Sequence, residues 1–298
     1  MCRPLRVHLD NKSPSAASRV GPHFSLRSHP FLLRCAALQR PGKCPAYGHV
    51  HFGFYLHVVE GGALSISVRV RGKLNSLDEQ RSLDMIKDEL AAYTAKIIKR
   101  QGAEEAEVLF RGQIGEAGHV TGKALRRGQV SPLFALPSAT GATVSLGERL
   151  TNGPVIVTFY RGGWCPYCNI ALRALQFRLQ EIKSLGGSLI AISPEVPDQS
   201  LSTTEKLALE FDVLSDADNS VARLFGLVYR ISDAARERLQ ALGRDLASHN
   251  GTDSWELPIT ATYVINQEGL IVFDHVEADY RERLDPATIV GVVQRMLG

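Results

Sequence analysis

Two cysteines two residues apart, in Trp164-Cys165-Pro166-Tyr167-Cys168, are the side chains best suited to chemistry in this chain of 298 residues. Thiols at that spacing can close a disulfide across the first turn of a helix, where the positive end of the helix dipole stabilises a thiolate. The surrounding sequence supplies such a turn. Ahead of the pair, Val155, Ile156 and Val157 read as a strand buried on both faces, and behind it Ala171, Leu172, Leu175, Leu179 and Ile182 recur on one helical face. Cys165 then stands exposed at the cap as the low-pKa nucleophile. Pro166 takes the first helical position, where a missing amide costs nothing. Cys168 falls on the inward stripe as the resolving thiol. Zinc would need about four ligands, and no second pair of cysteines or histidines follows at a usable spacing. A redox dithiol therefore ranks ahead of a metal site and of inert packing, and it needs neither metal nor cofactor.

The elements that would position this pair are readable on both sides of it. Gly186-Gly187 stops the helix, and the next apolar run, 188–193, makes a strand-helix-strand unit with parallel strands. Upstream, 131–136 and 143–146 read as a hairpin opening a domain near residue 121. Downstream come a helix started by the capping box Ser202 to Glu205, a short strand at Val213-Leu214 and a helix over 221–226. A polar helical insertion over 233–247 and a hairpin of 262–265 with 270–273 follow, then a closing helix begun by Asp285-Pro286. A further helix starts at Ser76, where Ser76 to Glu79 has capping-box spacing, and Leu83, Ile86, Leu90, Tyr93 and Ile97 form its apolar stripe. That stripe serves packing on its own domain or the seam of a homodimer.

Charge divides the chain. The formal net charge is +3, yet residues 1–73 hold eleven Lys/Arg against only Asp10 and Glu60, so the remainder is net acidic. An acidic body lacks the clustered cations that phosphate binding requires, which excludes a nucleic-acid partner. No apolar run approaches the roughly 18 residues of a membrane span. Residues 1–73 also hold Cys2, Cys35 and Cys44 and show no sustained apolar periodicity before Phe52. They read as an extension that is disordered or not native, as a basic tail, or as an organellar transit peptide. The first two readings leave the protein in the cytoplasm. The expected organisation is an extension over 1–73, a helical lead-in over 74–120 and an α/β domain over 121–298.

Residues 121–298 resemble the peroxiredoxin-like branch of the alkyl hydroperoxide reductase and thiol-specific antioxidant (AhpC/TSA) family. The segments that carry this are 159–169 around the dithiol, Ala-Ile-Ser-Pro-Glu ending at Glu195, 249–258, and Ala-Thr-Tyr-Val-Ile ending at Ile265. The resemblance implies a thioredoxin-like fold, a central mixed sheet flanked by helices with the helical lead-in before it. It also implies a thiol-dependent antioxidant oxidoreductase that reduces hydroperoxides through a Cys165/Cys168 cycle and is regenerated by thioredoxin or a similar dithiol donor. The family holds peroxide with a Pro-x-x-x-Thr-x-x-Cys loop and a later arginine. Aligned on that loop, Arg161 replaces the proline, Cys165 the threonine, and Cys168 the attacking cysteine. Thr260 falls where the later arginine is expected, and equally where thioredoxins keep a cis proline; Thr158 stands where thioredoxins bury a carboxylate. These departures keep a protein disulfide open as an alternative substrate, and a non-catalytic binding module as a third reading. Among the neighbours, Arg161 is expected to lower a thiolate pKa, Trp164 to pack over the dithiol, and Tyr167 to face partners at the surface. Asn250, Asp253 and Trp255 lie in a loop read as ordinary ordered structure, and His249 and His275 as surface histidines.

Overall fold

The computed structural model describes residues 51–58, 64–71 and 76–297. It divides into two units, Met1–Arg71 and Gly72–Gly298. In the first, β1 (His51–Val58) pairs antiparallel with β2 (Leu64–Arg71). The reading of 1–73 as an extension without structure omitted this hairpin. Its alternation is legible in retrospect, since Leu64, Ile66, Val68 and Val70 alternate with Ser65, Ser67 and Arg69 in the sequence. Cys2, Cys35 and Cys44 lie outside the described residues.

The second unit opens with α1 (Ser76–Gln101) and α2 (Ala103–Gly118), joined at Gly102. Gly102 has φ +93, and a Cβ there would lie 2.6 Å from the Glu105 carboxylate, so the joint favours glycine. On α1 the predicted stripe faces inward, with Ile86 and Leu90 buried and Tyr93 and Ile97 packed against the core. The sequence reading did not resolve α2 as a separate helix. It buries Ala106, Leu109, Phe110, Gln113 and Ala117, one face at helical spacing interrupted by a polar residue.

A short hairpin, β3 (Ala135–Pro137) with β4 (Thr143–Ser145), leads into α3 (Leu146–Leu150). Then come β5 (Val155–Phe159), α4 (Pro166–Ser184), β6 (Ser188–Ser193), α5 (Pro197–Leu207), β7 (Asp212–Ser215), α6 (Ser220–Leu224) and β8 (Val228–Arg230). The rest is α7 (Asp233–Ala241), α8 (Leu246–Asn250), β9 (Glu256–Pro258), β10 (Thr260–Ile265), β11 (Ile271–Glu277) and α9 (Pro286–Leu297). Several boundaries differ from expectation: the strand read at 131–136 is confined to Ala135–Pro137, and the one read at 270–273 runs on to Glu277. Helix α5 begins five residues before the Ser202 capping box, because Pro197 already sets the first helical φ. The 233–247 insertion is two helices, broken where Gly243 takes φ +71.

The main sheet has the order β11-β10-β5-β6-β7. Strands β5, β6 and β7 run parallel, while β10 is antiparallel to both β5 and β11. A mixed sheet of this order with α4 leaving the end of its central strand is the thioredoxin-like fold. Strand β5 is buried throughout, as its apolar run predicted, and β10 and all of β6 but Ser188 are buried with it. Thr158 and Thr262 face each other across the β5–β10 pair, their hydroxyls 3.1 Å apart, on the face that carries α4. The opposite face carries Phe159 and Tyr263, both packed on Phe225 with ring centroids 5.0 and 5.1 Å away.

Candidate active site

The dithiol loop is built between the end of β5 and the first turn of α4. Cys165 is the N-cap of α4, Pro166 occupies its first turn, and the Cys165 carbonyl accepts the amide of Asn169 at 3.1 Å. The tight Arg161-Gly162-Gly163-Trp164 turn before it is closed by the Cys165 amide donating to the Gly162 carbonyl at 3.1 Å. Both glycines are sterically required. Gly162 has φ +136, with the Trp164 indole where its Cβ would lie, and a Cβ on Gly163 would meet the Thr203 side chain. Glu195, buried at the end of the Ala191 to Glu195 motif, accepts the Gly163 amide at 2.9 Å, and the Val196 amide donates to the His249 carbonyl. The quoted motifs thus converge on the loop that holds the cysteines.

Both thiols are free, and both are buried: Cys165 is 2% exposed and Cys168 0%. The expected exposure of Cys165 is therefore corrected. Helices α1, α2 and α7 cover the cap that a bare helix terminus would leave open. What separates the two sulfurs is charge. Burial opposes ionisation of Cys165, but a hydrogen bond from the Cys168 thiol and the charges of Arg161 and Arg283 outweigh it and bring the pKa down to about 5. Cys168 moves the other way. Its burial, its hydrogen bond to Cys165 and that neighbour's negative charge raise it, and Arg283 and Arg161 offset only part of the rise.

The two guanidinium groups sit on different sides of the pair. Arg161, 1% exposed, is no surface arginine; its guanidinium lies 4.1 Å from the Tyr280 ring centroid and 5.0 Å from that of Trp164, and it donates to the side-chain amide oxygen of Gln113. Arg283, between β11 and α9, donates from Nη2 to the Cys168 sulfur at 3.3 Å. Among the described residues neither arginine forms an ion pair with a carboxylate, so their charge remains for the thiols.

Each sulfur also lines its own cavity. On the Cys165 side a space of about 70 Å³ is walled by Tyr93, Ile97, Leu109, Phe110, Leu239 and Tyr280, with Arg161, Trp164 and Pro166 around the sulfur. On the Cys168 side a space of about 30 Å³ is lined by Thr158, Thr260, Thr262, His275, Glu282 and Arg283.

The remaining predicted residues fall as follows. Trp164 is buried over Arg161, with no hydrogen-bond partner for its indole nitrogen. Tyr167 does not face the surface. It is buried between Tyr93 and Tyr280, and its hydroxyl lies 3.0 Å from that of Thr94, because α1 packs on the face that a free-standing helix would present to solvent. Thr260 is buried, donates to the Glu277 carbonyl at 3.2 Å and meets the Cys168-side cavity. Asn250 and Trp255 are buried, and Asp253 accepts the Trp255 indole N–H at 2.6 Å. His249 Nδ1 lies 3.6 Å from the buried Glu195 carboxylate, and half-buried His275 lines the Cys168-side cavity, so neither is a plain surface histidine. No group of three or more His, Cys, Asp or Glu able to hold a metal is found among the described residues.

Sequence reading missed Gln113, Tyr280 and Arg283, and with Arg283 it missed that a later arginine does reach the dithiol. Arg283 is 115 residues from Cys168 in the chain and lies in a charged run beside the Asp285-Pro286 cap. Nothing in that run marks it, and the family pattern points instead to Thr260, at the start of the strand that holds Tyr263.

Residues 127–273 match the model of the AhpC/TSA family. Peroxiredoxin Bcp of Escherichia coli (strain K12) is 32% identical over 103 residues, which are 35% of this chain and 65% of that protein. The match thus spans just under two thirds of that relative's length. A putative peroxiredoxin of Mycobacterium tuberculosis (strain CDC 1551 / Oshkosh) is 28% identical over 148 residues, 50% of this chain and 83% of that protein. Among solved structures, peroxidoxin BcpB from Mycobacterium tuberculosis superposes with a TM-score of 0.46 at 19% identity, covering 58% of this chain and 98% of that one. The matched span contains both cysteines and leaves α1, α2 and Arg283 outside it. Over that span, which holds the dithiol, the chain is similar to the AhpC/TSA family.

Proposed function

We propose that this chain is a thiol-dependent peroxidase in which Cys165 is the attacking residue. The Cys165 thiolate takes the terminal oxygen of a hydroperoxide, becoming a sulfenic acid while the remaining fragment leaves as an alcohol or as water. Cys168 then attacks the Cys165 sulfur, water departs, and the Cys165–Cys168 disulfide is left for a dithiol donor to reduce. The observation that carries this reading is the position of Cys165, depressed in pKa and facing a cavity beside Arg161. Alignment on the family loop put the attacking thiol at Cys168 instead. The raised pKa of Cys168 speaks against that, since the thiolate is the nucleophile.

A hydroperoxide is favoured over a protein disulfide because of size. A small oxidant can meet Cys165 beneath α1, α2 and α7, whereas a protein disulfide needs those helices displaced. The same demand falls on a thioredoxin-type donor, which we assign as the reductant, so regeneration by thioredoxin depends on the lead-in opening. The reading places the protein in the cytoplasm, where thiol reductants keep such a pair reduced. No helix among the described residues is long and apolar enough to cross a membrane.

The test is consumption of hydrogen peroxide and of insulin disulfide, side by side, with thioredoxin and its reductase supplying electrons. Peroxide turnover that exceeds insulin reduction supports the reading. Insulin reduction without peroxide turnover overturns it in favour of a disulfide reductase, and neither activity would leave the binding module.

A further inference from the structure

We propose that Arg283 is a catalytic residue of the second half of the cycle, holding the Cys168 sulfur as a thiolate when it attacks Cys165 and again when it leaves as the disulfide is reduced. This rests on the dithiol cycle proposed above, though not on the identity of the oxidant. The contact itself is direct. Arg283 Nη2 donates to Cys168 Sγ at 3.3 Å, and no carboxylate among the described residues forms an ion pair with the guanidinium.

The need for such a cation follows from the chemistry. Closing the ring takes a proton from the Cys168 thiol, joins its sulfur to Cys165 and releases the group that Cys165 carried. With a sulfenate that group is hydroxide, which leaves as water with the proton from Cys168. With a mixed disulfide it is the partner's thiolate, and the proton goes to solvent. In either case a fully buried sulfur must become anionic, which burial alone disfavours. Cys165 cannot supply the compensation because it is the centre under attack.

The groups facing Cys168 narrow the choice of cation to one. Cys165 and Arg161 belong to the dithiol loop, with Arg161 lining the other cavity; Tyr160 follows β5 and Tyr229 lies on β8. On the Cys168 side are His275, Glu282 and Arg283. Burial lowers the pKa of His275, which keeps it neutral at pH 7, and Glu282 carries the wrong sign. Arg283 alone on that side carries a fixed positive charge, and it touches the sulfur.

An aromatic disulfide reagent, dithiobis(nitrobenzoate), reads the two halves separately. The first release of thionitrobenzoate reports attack by Cys165, and the second reports displacement by Cys168. Arg283→Gln and Arg283→Met should slow the first release at pH 7 far less than the second, since Cys165 keeps Arg161 beside it. The second release should slow tenfold or more, with its pH midpoint raised by about one unit, which is the same tenfold change in thiolate fraction. Arg283→Lys, which restores the charge, should recover most of the second release. An unchanged second release, equal slowing of both releases, or failure of lysine to rescue would overturn the assignment. Failure of the wild type to consume peroxide would leave this result standing and count only against the proposed oxidant.

Discussion

The Cys165 side and the Cys168 side of the dithiol are equally buried and differ in almost everything else. Cys165 meets an apolar cavity closed by the lead-in helices and a guanidinium held between two aromatic rings. Cys168 meets a smaller cavity of threonine hydroxyls, a histidine and a second guanidinium from the far end of the chain. Exposure, the property used to rank the thiols from sequence, therefore does not distinguish them. The surrounding charges and the direction of the one hydrogen bond between the sulfurs do, by favouring a thiolate on the first sulfur and a thiol on the second.

The largest way to break this asymmetry is to remove either sulfur. Cys165→Ser should abolish peroxide turnover. Cys168→Ser should retain a single burst that leaves a sulfenate on Cys165, detected by mass spectrometry after one equivalent of peroxide. A sulfenate on Cys168 in the Cys165→Ser protein, formed as fast as in the wild type, would reverse the two sides. Arg161→Met acts next. Without the buried charge the Cys165 pKa rises, so activity should fall tenfold or more near pH 6 and recover as pH climbs toward the free-thiol value of about 8.5. A loss independent of pH would point to a packing defect from the rearranged Trp164 and Tyr280 rings.

How much of this was legible in the sequence depends on how local the signal is. The buried strand, the cap, Pro166 and the two cysteines lie within one short stretch, and the strand-helix-strand unit followed from the periodicities on either side. The helix from Ser76 was equally plain from its stripe. What failed was anything that depends on contact between distant segments. Tyr167 looked exposed because its cover, Thr94 and Tyr93 on α1, is more than seventy residues away. Arg283 was invisible for the same reason, and α2 was hard to find because three glycines and a buried glutamine dilute its apolar face.

Smaller effects probe the cover. Tyr167→Phe removes the hydroxyl contact with Thr94 and should cost about 0.5–1.5 kcal/mol of stability. By loosening α1 it should speed reduction of the disulfide by thioredoxin more than reduction by dithiothreitol. Equal acceleration of both donors would show that access does not limit regeneration. The smallest effect is expected from the N-terminal unit. A chain beginning at Lys73, just past the division after Arg71, should keep the melting temperature and both thiol reactivities. Loss of soluble protein would show that the first unit supports the second. Replacing Cys2, Cys35 and Cys44 with serine should likewise leave turnover within twofold.

The asymmetry itself is open to direct measurement by alkylating the reduced wild-type protein across pH and quantifying each cysteine by peptide mass spectrometry. Cys165 should label with a midpoint near pH 5 and reach a plateau by neutral pH, while Cys168 should resist labelling until well above pH 9. Superimposed profiles for the two cysteines, or a lower midpoint at Cys168, would contradict the assignment of Cys165 as the attacking thiolate.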